Sequence, residues 1–532
     1  MTLSALLDAC DRLNRPARLL AFFCAGSAAV LAMPPYGAWP LLFAGMSLFY
    51  VMLSKAKNRL DAFLSGWGFG FGYFVFGLSW IANALTVEGS TYSWVIPFAI
   101  AGLPALLAFF PAFSALACAR PGHLRSFRGF CLFTGSMTLG EWLRGHVFTG
   151  FPWNLYGYGW DGVQAVAQGA SLAGAYGLTL ATVAWAAAPG FCLVWNADTR
   201  RRTAVIALAA LSLTSVFAWG TLRLRDNPTV ADPRFILRTV QPSIPQSLKW
   251  DDTKEAESFR RIVEASAADG FTAPDGATIL MIWPETAVDQ GMMQNPAAIE
   301  TLRRTLESYP QNRLFLASGL LRWERDKGRT KYFNSIGLFD RDLNLIATYD
   351  KAHLVPFGEY IPFSRWLPAN PLVRMEGFES GPGAGLLALP LNERDAVKIS
   401  PMICYEAIFP GESVKRGSRP SLILNVTNDG WYGDSAGPRQ HLSIARFRAI
   451  EEGAPLARAA NSGISAVIDS YGRILWRKNI FEIGAGEQAL PATAARPTLY
   501  SRYGDWPAIA GFLILCGIGL LPCSTFNRRT HT

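Results

Sequence analysis

The chain has 532 residues, of which 50% are hydrophobic and only 17% are charged, whereas a soluble chain carries about 25% charged residues. With 17 tryptophans and a mean hydropathy of +0.19, this composition excludes a disordered chain and indicates a membrane protein. The formal net charge is +9, but residues 1–225 hold 15 basic and 7 acidic residues, and residues 226–532 hold 34 and 33. The excess lies in the apolar half, and a nucleic-acid partner is not needed to explain it.

Eight apolar stretches predict membrane-spanning helices, and seven of them precede residue 226. They cover residues 17–33, 39–53, 62–85, 94–119, 127–147, 168–195, 203–222 and 506–523. A helix needs about 20 apolar residues to cross a hydrocarbon core about 30 Å thick. The second and eighth stretches are short by this measure.

Basic residues in the connecting segments predict the orientation of these helices. Twelve of the fifteen Lys and Arg residues before residue 226 precede the first stretch or follow the second, fourth or sixth, and the alternate loops have none. Such basic segments are typically cytoplasmic. We therefore expect a seven-span membrane domain at 1–225, an extracytoplasmic domain at 226–505, and an eighth helix with a cytoplasmic tail at 506–532. Both termini are then cytoplasmic.

Residues 226–505 alternate strand-like and helix-like segments, which predicts a globular α/β domain. Apolar runs typical of strands cover residues 235–241, 278–283, 314–320, 333–339, 397–404, 421–427 and 464–469. Helical periods begin near Asp252, at Asn295–Pro296 and near residue 438. The pattern predicts a sheet layered with helices.

Cys404 is the only cysteine of this domain, since the other seven lie in or beside the predicted spans. A lone thiol in an oxidising compartment cannot form an internal disulfide, and it is a hazard unless it is used or buried. The domain also has only two histidines, His353 and His441, and no Cys/His cluster at ligand spacing. We expect neither a metal nor a cofactor.

Three short segments carry residue types that can perform covalent chemistry: Ile282–Trp283–Pro284–Glu285–Thr286, Tyr349 to Glu359, and Pro401 to Glu406 around Cys404. Each segment alone is weak evidence. A strand-end Glu is usually a surface or capping residue, a loop Lys is usually solvated, and a Cys after an apolar strand is usually a core thiol. Their order, Glu285, Lys351 and Cys404, within a domain that has one cysteine favours a catalytic site.

This combination resembles the nitrilase, or carbon–nitrogen hydrolase, superfamily, whose triad is Glu, Lys and Cys in chain order. Within it, the fusion to seven preceding spans and one following span resembles the apolipoprotein N-acyltransferase family. Further similar segments are Glu141–Gly145, Thr149–Trp153, Val240–Trp250, Asn428–Asp434 and Gln440–His441. The only departure noted is Gly430, where a slightly larger small residue is expected. The resemblance implies an α-β-β-α sandwich beside the membrane helices.

The resemblance also implies roles for named residues. Cys404 is the expected nucleophile, Glu285 the general base and acid, and Lys351 the oxyanion stabiliser. Glu359 is expected to orient Lys351 or the substrate amine. Supporting or substrate-binding positions are expected at Tyr405, Glu406, Trp250 and Trp431.

The implied activity is a ping-pong acyl transfer in the bacterial inner membrane, with the catalytic domain on the periplasmic side. Cys404 takes the sn-1 acyl chain of a phospholipid, expected to be phosphatidylethanolamine, as a thioester. The α-amino group of the diacylglyceryl-cysteine of an apolipoprotein then accepts the chain. The alternatives are a membrane-tethered amidase that uses water as second nucleophile, and a transporter with an outer solute-binding domain. Transporters usually place ionisable groups at mid-membrane, and these spans carry almost none beyond Glu141 and Arg144.

The predicted membrane domain at residues 1–225 is called the membrane half below. Two of its features remain open from the residues alone. Glu141 and Arg144 are three residues apart on one predicted helix face, where they form either a structural ion pair or a contact to a phospholipid headgroup. The third stretch carries five glycines, Gly66, Gly68, Gly70, Gly72 and Gly77, which predict close helix packing.

Overall fold

A computed structural model describes residues 13–86, 96–120, 122–249, 254–307, 313–360, 377–392 and 394–521. Each of the eight predicted apolar stretches contains a helix. The α-helices described before residue 227 and after residue 505 are Arg15–Ala29, Trp39–Leu53, Arg59–Gly77, Ile81–Ala84, Ile96–Leu107, Phe109–Ala117, Phe127–His146, Gln164–Ala167, Ala170–Val194, Thr199–Asp226 and Trp506–Leu520.

Four helical segments in the described ranges are long and apolar enough to cross a membrane: Arg15–Ala32, Ile96–Ala117, Ala170–Val194 and Thr199–Asp226. The helices Trp39–Leu53 and Trp506–Leu520 are apolar but shorter, as their sequences predict. Thr199–Asp226 has only one buried residue, Gly220, and it packs against its neighbours through half-buried residues such as Leu213 and Val216.

The glycines of helix Arg59–Gly77 bring it close to its neighbours, as predicted. A Cβ atom on Gly72 would lie 2.1 Å from the carbonyl oxygen of Phe23, and one on Gly66 would lie 2.3 Å from that of Pro111. Any side chain at these positions would push apart helices that now touch through their backbones.

Thirteen strands are found among the described residues. They are Ala231–Gln241 (β1), Thr278–Ile282 (β2), Val288–Asp289 (β3), Arg313–Asp326 (β4), Arg329–Phe339 (β5), Leu345–Asp350 (β6), Leu387–Pro390 (β7), Ala396–Ile403 (β8), Leu422–Thr427 (β9), Leu456–Ala460 (β10), Ser465–Ile468 (β11), Ile474–Lys478 (β12) and Gly484–Pro491 (β13). The helices of this domain are Gln246–Lys249, Glu255–Ala267, Pro296–Leu306, Ala436–Glu452 and Leu499–Tyr503. All seven predicted strands are present, and the three longer helices fall where predicted, although Asp252 lies outside the described residues.

The strands form two sheets, ordered β13-β1-β2-β4-β5-β6, with β3 beside β4, and β12-β11-β10-β9-β8-β7. The central pairs β1/β2, β2/β4, β8/β9 and β9/β10 are parallel. The carboxyl ends of β2 and β8 carry Glu285 and Cys404, respectively, and β6 leads into Lys351.

The two sheets pack face to face, and helices cover their outer faces. Leu280 and Ile336 of the first sheet share one buried cluster with Ile399 and Leu424 of the second. Helices Glu255–Ala267 and Pro296–Leu306 cover the first sheet, and Ala436–Glu452 covers the second. The predicted α-β-β-α sandwich is confirmed.

Helix Ala436–Glu452 also packs against the membrane half. Ile444, Phe447 and Ile450 belong to the same buried cluster as the apolar residues of the membrane helices. Helix Ala170–Val194 breaks at Gly174 (φ +71°), and the freed N–H of Ala175 donates to the Glu451 carboxylate at 2.7 Å. This helix therefore contacts the second sheet on one side and the membrane half on the other.

Candidate active site

Glu285 lies three residues beyond β2 and is buried at the carboxyl end of the first sheet. Its Oε1 accepts a hydrogen bond of 2.8 Å from the side-chain amide of Asn334. The same oxygen lies 3.5 Å from Nζ of Lys351. Two neighbouring strands, β5 and β6, therefore supply groups that hold this carboxylate.

Lys351 directly follows β6, and its side chain is 1% exposed. Its Nζ donates to Glu359 Oε1 at 2.8 Å, and Asn334 Nδ2 donates to the same oxygen at 2.9 Å. Burial alone would lower the pKa of Lys351, but the carboxylates of Glu359 and Glu285 raise that pKa well above its usual value. The lysine is therefore a fixed cation.

Cys404 follows the buried strand β8 at a sharp turn, as predicted from the sequence. Its backbone has a left-handed φ of +48°, a conformation that is uncommon for a side chain larger than glycine. Burial and the charge of Glu285 raise the pKa of the Cys404 thiol well above its ordinary value, and Lys351 and the nearby Thr427 side chain only partly offset this rise. The thiol at rest is neutral, so a base must remove its proton before it can attack.

Glu406 holds the lysine segment and the cysteine turn together. Its Oε1 accepts from the Tyr349 hydroxyl and the Ala352 N–H, both at 2.8 Å, and its Oε2 accepts from the Ile403 N–H at 2.7 Å. Burial raises the pKa of the Glu406 carboxyl, and these donors offset part of the rise. Glu406 therefore binds the backbone on both sides of the site.

A second buried network lies behind the cysteine. His441 Nε2 lies 3.0 Å from the carbonyl oxygen of Cys404, and its Nδ1 lies 2.9 Å from Asp429 Oδ1. Arg458 Nη2 donates to Asp429 Oδ2 at 2.6 Å. Burial alone would raise the pKa of Asp429, but Arg458 and His441 hold that pKa well below its usual range. Asp429 is therefore a buried carboxylate at neutral pH.

Of the remaining predicted positions, Tyr405 contacts the membrane half, Trp431 lies in a turn whose next residue does so, and Trp250 is not described. Tyr405 is buried, and its hydroxyl donates to the carbonyl oxygen of Gly150 at 3.1 Å. Trp431 is half-buried in the turn Asp429–Tyr432, and the Tyr432 ring lies 4.5 Å from that of Trp80. Trp250 lies outside the described residues.

Glu141 and Arg144 form the structural ion pair that was one of the two alternatives. Arg144 donates from Nη2 to Glu141 Oε2 at 2.6 Å and from Nε to Oε1 at 3.2 Å. Its Nη1 donates to the carbonyl oxygens of Phe151 and Trp153. Arg144 is 1% exposed, and these bonds occupy its guanidinium. The pair therefore fixes the loop that faces the cysteine turn and leaves no open contact to a lipid headgroup.

Three participants were not predicted from the sequence: Asn334, Thr427 and Arg458. Each is a polar residue within the buried part of a strand, and this pattern is the signal that could have identified them. Among the described residues, no group of three or more His, Cys, Asp or Glu side chains is placed to hold a metal ion.

Two protein families match the chain. Residues 25–188 match the family described as apolipoprotein N-acyltransferase N-terminal domain, and residues 237–491 match the carbon–nitrogen hydrolase family. The second match covers Glu285, Lys351, Glu359 and Cys404.

Curated relatives extend over almost the whole chain. A protein of Rhodopseudomonas palustris named apolipoprotein N-acyltransferase is 40% identical over 91% of this chain and 91% of its own length. A protein of Brucella melitensis with the same name is 37% identical over 98% of each. Among solved structures, Nit3 of Saccharomyces cerevisiae aligns with 55% of this chain and 96% of its own, with 16% identity and a TM-score of 0.32.

Proposed function

The chain belongs to the apolipoprotein N-acyltransferase family and is an N-acyltransferase enzyme, and from this premise we propose that Cys404 carries the acyl group as a thioester between two lipid substrates. The observation that carries this assignment is the convergence on one thiol of a carboxylate, Glu285, and a cation, Lys351. These groups come from three separate strand ends.

In the first half-reaction, Glu285 takes the proton of the Cys404 thiol as the sulfur attacks the sn-1 ester carbonyl of a phospholipid. The carbon–sulfur bond forms, and the ester carbon–oxygen bond breaks. Glu285 returns the proton to the departing alkoxide. The products are an acyl-thioester on Cys404 and a lysophospholipid, and the proposed donor is phosphatidylethanolamine.

In the second half-reaction, the α-amino group of a diacylglyceryl-cysteine attacks the thioester carbonyl. Glu285 accepts a proton from the nitrogen as the amide bond forms, and it passes a proton to the sulfur as the carbon–sulfur bond breaks. The thiol is restored, and the apolipoprotein leaves with an amide-linked acyl chain. Over the two half-reactions, each bond that forms is matched by one that breaks, and every proton is returned.

Lys351 stabilises the oxyanion of both tetrahedral intermediates, together with the backbone N–H of Tyr405. A buried, permanently charged ammonium suits this role because its charge is little screened by water. Glu359 orients the ammonium, which its 2.8 Å hydrogen bond to Nζ supports. Asn334 Nδ2 donates to both carboxylates and thereby links Glu285 and Glu359.

We further propose that the protein spans the bacterial inner membrane eight times, with both termini in the cytoplasm. Seven spans lie in residues 1–225, the periplasmic catalytic domain is 226–505, and the eighth helix and tail are 506–532. The contacts of Tyr405 with Gly150 and of His353 with Thr149 support a site that faces the bilayer. Two lipid-anchored substrates then reach one thiol by lateral diffusion. A lipid-sealed pocket also keeps water from the thioester.

The test is incubation of the purified enzyme in nanodiscs with phosphatidylethanolamine labelled in its sn-1 chain, followed by mass spectrometry. We expect one labelled acyl group on Cys404, which transfers to a diacylglyceryl peptide added afterwards. The control is phosphatidylethanolamine labelled in the sn-2 chain, which should leave Cys404 unlabelled. Cys404→Ser should form no thioester and show no turnover.

The amidase alternative predicts a different result in the same experiment. Water as second nucleophile would release labelled free fatty acid, and the added peptide would remain unmodified. Transfer to the peptide in wild-type enzyme but equally in Cys404→Ala would overturn the proposed nucleophile.

A further inference from the structure

His441 contacts the nucleophile through the main chain. Its Nε2 lies 3.0 Å from the carbonyl oxygen of Cys404. A carbonyl oxygen only accepts, so Nε2 carries a proton and donates it to this bond. The ring is completely buried, and no role in proton transfer to the substrate follows from this position.

The backbone that His441 holds is the strained one. Cys404 has a φ of +48°, and left-handed conformations of residues other than glycine persist only where their surroundings hold them in place. The conformation determines where the Cys404 sulfur and the N–H of the following residue point. A bond to the carbonyl oxygen of this same residue is therefore well placed to maintain both directions.

The imidazole is itself held in place on several sides. Asp429 Oδ1 lies 2.9 Å from Nδ1, and Arg458 fixes that carboxylate at 2.6 Å. The ring of Trp153, from the membrane half, lies 5.4 Å from the imidazole. Gln440, the preceding residue, accepts from the Trp153 indole at 2.8 Å. The donor to Cys404 is thus fixed both by the sandwich and by a loop of the membrane half.

We propose that His441 is a positioning residue for the nucleophile: its Nε2–H bond to the Cys404 carbonyl maintains the left-handed turn that directs the sulfur and the adjacent N–H at the substrate ester. This role rests on the proposed function, since it concerns the same thiol. It adds a residue that contacts neither substrate nor any reacting atom.

The experiment compares three substitutions of His441. The His441→Gln variant can present an amide donor at about the position of Nε2, whereas His441→Leu fills similar space without a donor and His441→Asn is polar but too short. Single-turnover acylation of Cys404 is measured over a range of phosphatidylethanolamine concentrations in nanodiscs. The matched control is His123→Leu, which replaces a histidine in the turn His123–Arg125, remote in sequence from the site.

We expect His441→Leu and His441→Asn to lower the maximal acylation rate on the order of 10²-fold, because small displacements of a reacting group cost about this much. The half-saturating phospholipid concentration should change by less than about threefold, since substrate contacts are retained. His441→Gln should stay within about tenfold of wild type, because it restores the donor that holds the turn. Acylatable protein, counted by the thioester amplitude, corrects each rate for any fraction that fails to fold.

Two results would overturn the role of His441. One is wild-type acylation rates in His441→Leu or His441→Asn, and the other is a His441→Gln variant as slow as both. If His441→Leu does not fold, His441→Asn against His441→Gln gives the answer. Absence of any thioester in wild-type enzyme would instead contradict the proposed function, and the role of His441 with it.

Discussion

Two carboxylates, those of Glu359 and Glu285, surround the single ammonium of Lys351, and they lie at different distances from it. Glu359 lies 2.8 Å from Nζ and Glu285 lies 3.5 Å away. The nearer carboxylate is also bound by the Val355 N–H at 2.8 Å, so it pairs with the lysine as a fixed counter-ion. Glu285 makes the longer contact to the ammonium, and it is the carboxylate proposed to take the thiol proton. The difference in distance is consistent with the two proposed roles, Glu359 orienting the lysine and Glu285 acting as the base.

Replacing Lys351 with alanine should lower the acylation rate of Cys404 by roughly 10² to 10³-fold, the usual loss for one oxyanion donor. The reason is that this buried ammonium, bonded to both Glu285 and Glu359, supplies the positive charge beside the thiol. Stopped-flow or quench measurement of thioester formation gives this rate directly.

The control for this change is Lys331→Ala, which removes a half-exposed lysine paired with Asp326 in the hairpin of β4 and β5. Exposed pairs contribute about 0–1 kcal/mol to stability, so this variant should acylate Cys404 at the wild-type rate. Acylation of Lys351→Ala within about threefold of wild type would contradict the oxyanion role.

At this scale, the residues proposed to react were easier to recognise in the sequence than some of the residues that contact them. Glu285 and Cys404 were recognisable because each ends or follows a strand-like run, and Lys351 because it lies between them in the order Glu, Lys, Cys within a domain that has one cysteine. Asn334 was not, because its contacts to Glu285 and Glu359 depend on the register between β5 and its neighbours. A pattern of alternating residues carries no information about that pairing.

Among the elements, strands with continuous apolar sequences were predicted, whereas the edge strands β12 and β13 were not. β1, β8 and β9 are buried over most of their length, and their continuous apolar sequences predicted them. β12 and β13 carry polar residues such as Arg477 and Glu487 at the sandwich edge. Their pairing depends on the adjacent strands rather than on their own composition.

Helix contacts in the membrane half offer a matched test of close packing. Gly72→Ala places a Cβ atom 2.1 Å from the Phe23 carbonyl oxygen, whereas Gly102→Ala meets nothing within 4 Å. Overpacking of this kind costs about 1–3 kcal/mol, so Gly72→Ala should lower the apparent melting temperature in detergent. Gly102→Ala should leave it unchanged or raise it, because alanine favours helix over glycine.

Equal melting temperatures for the two glycine variants would contradict close packing as the function of the glycine-rich helix. Thioester amplitude per milligram of protein should follow the same order. Substitution of Gly102 also reports any general effect of an added methyl group in an apolar helix.

At the scale of the whole molecule, the contact between the two halves could not be predicted from the sequence. Glu451 and Gln440 lie on helix Ala436–Glu452 and bond to Ala175 and Trp153 of the membrane half. The pairs are separated by more than 270 positions, and neither partner stands out locally. Only the break at Gly174, which frees the Ala175 N–H, leaves a trace in the sequence as a glycine within an apolar run.

This junction should make stability depend on pH. Burial raises the pKa of Glu451 from 4.5 to about 7, although Arg448 partly opposes the rise. Between these two values the folded state binds more protons than the unfolded state, so the free energy of unfolding falls as pH rises. The full change is about 3 kcal/mol, since one pKa unit corresponds to about 1.4 kcal/mol. Apparent melting temperatures in nanodiscs at pH 5, 6, 7 and 8 measure it.

Glu451→Gln removes the titrating carboxyl, and its melting temperature should therefore fall less steeply across this window than that of wild type. The slope should not vanish, because burial also raises the pKa of the neighbouring Glu452, to about 8. Glu300→Gln, at an exposed carboxylate paired with Arg304, should keep the wild-type slope. A Glu451→Gln slope as steep as wild type would show that protonation at this junction does not stabilise the attachment of the sandwich to the membrane half.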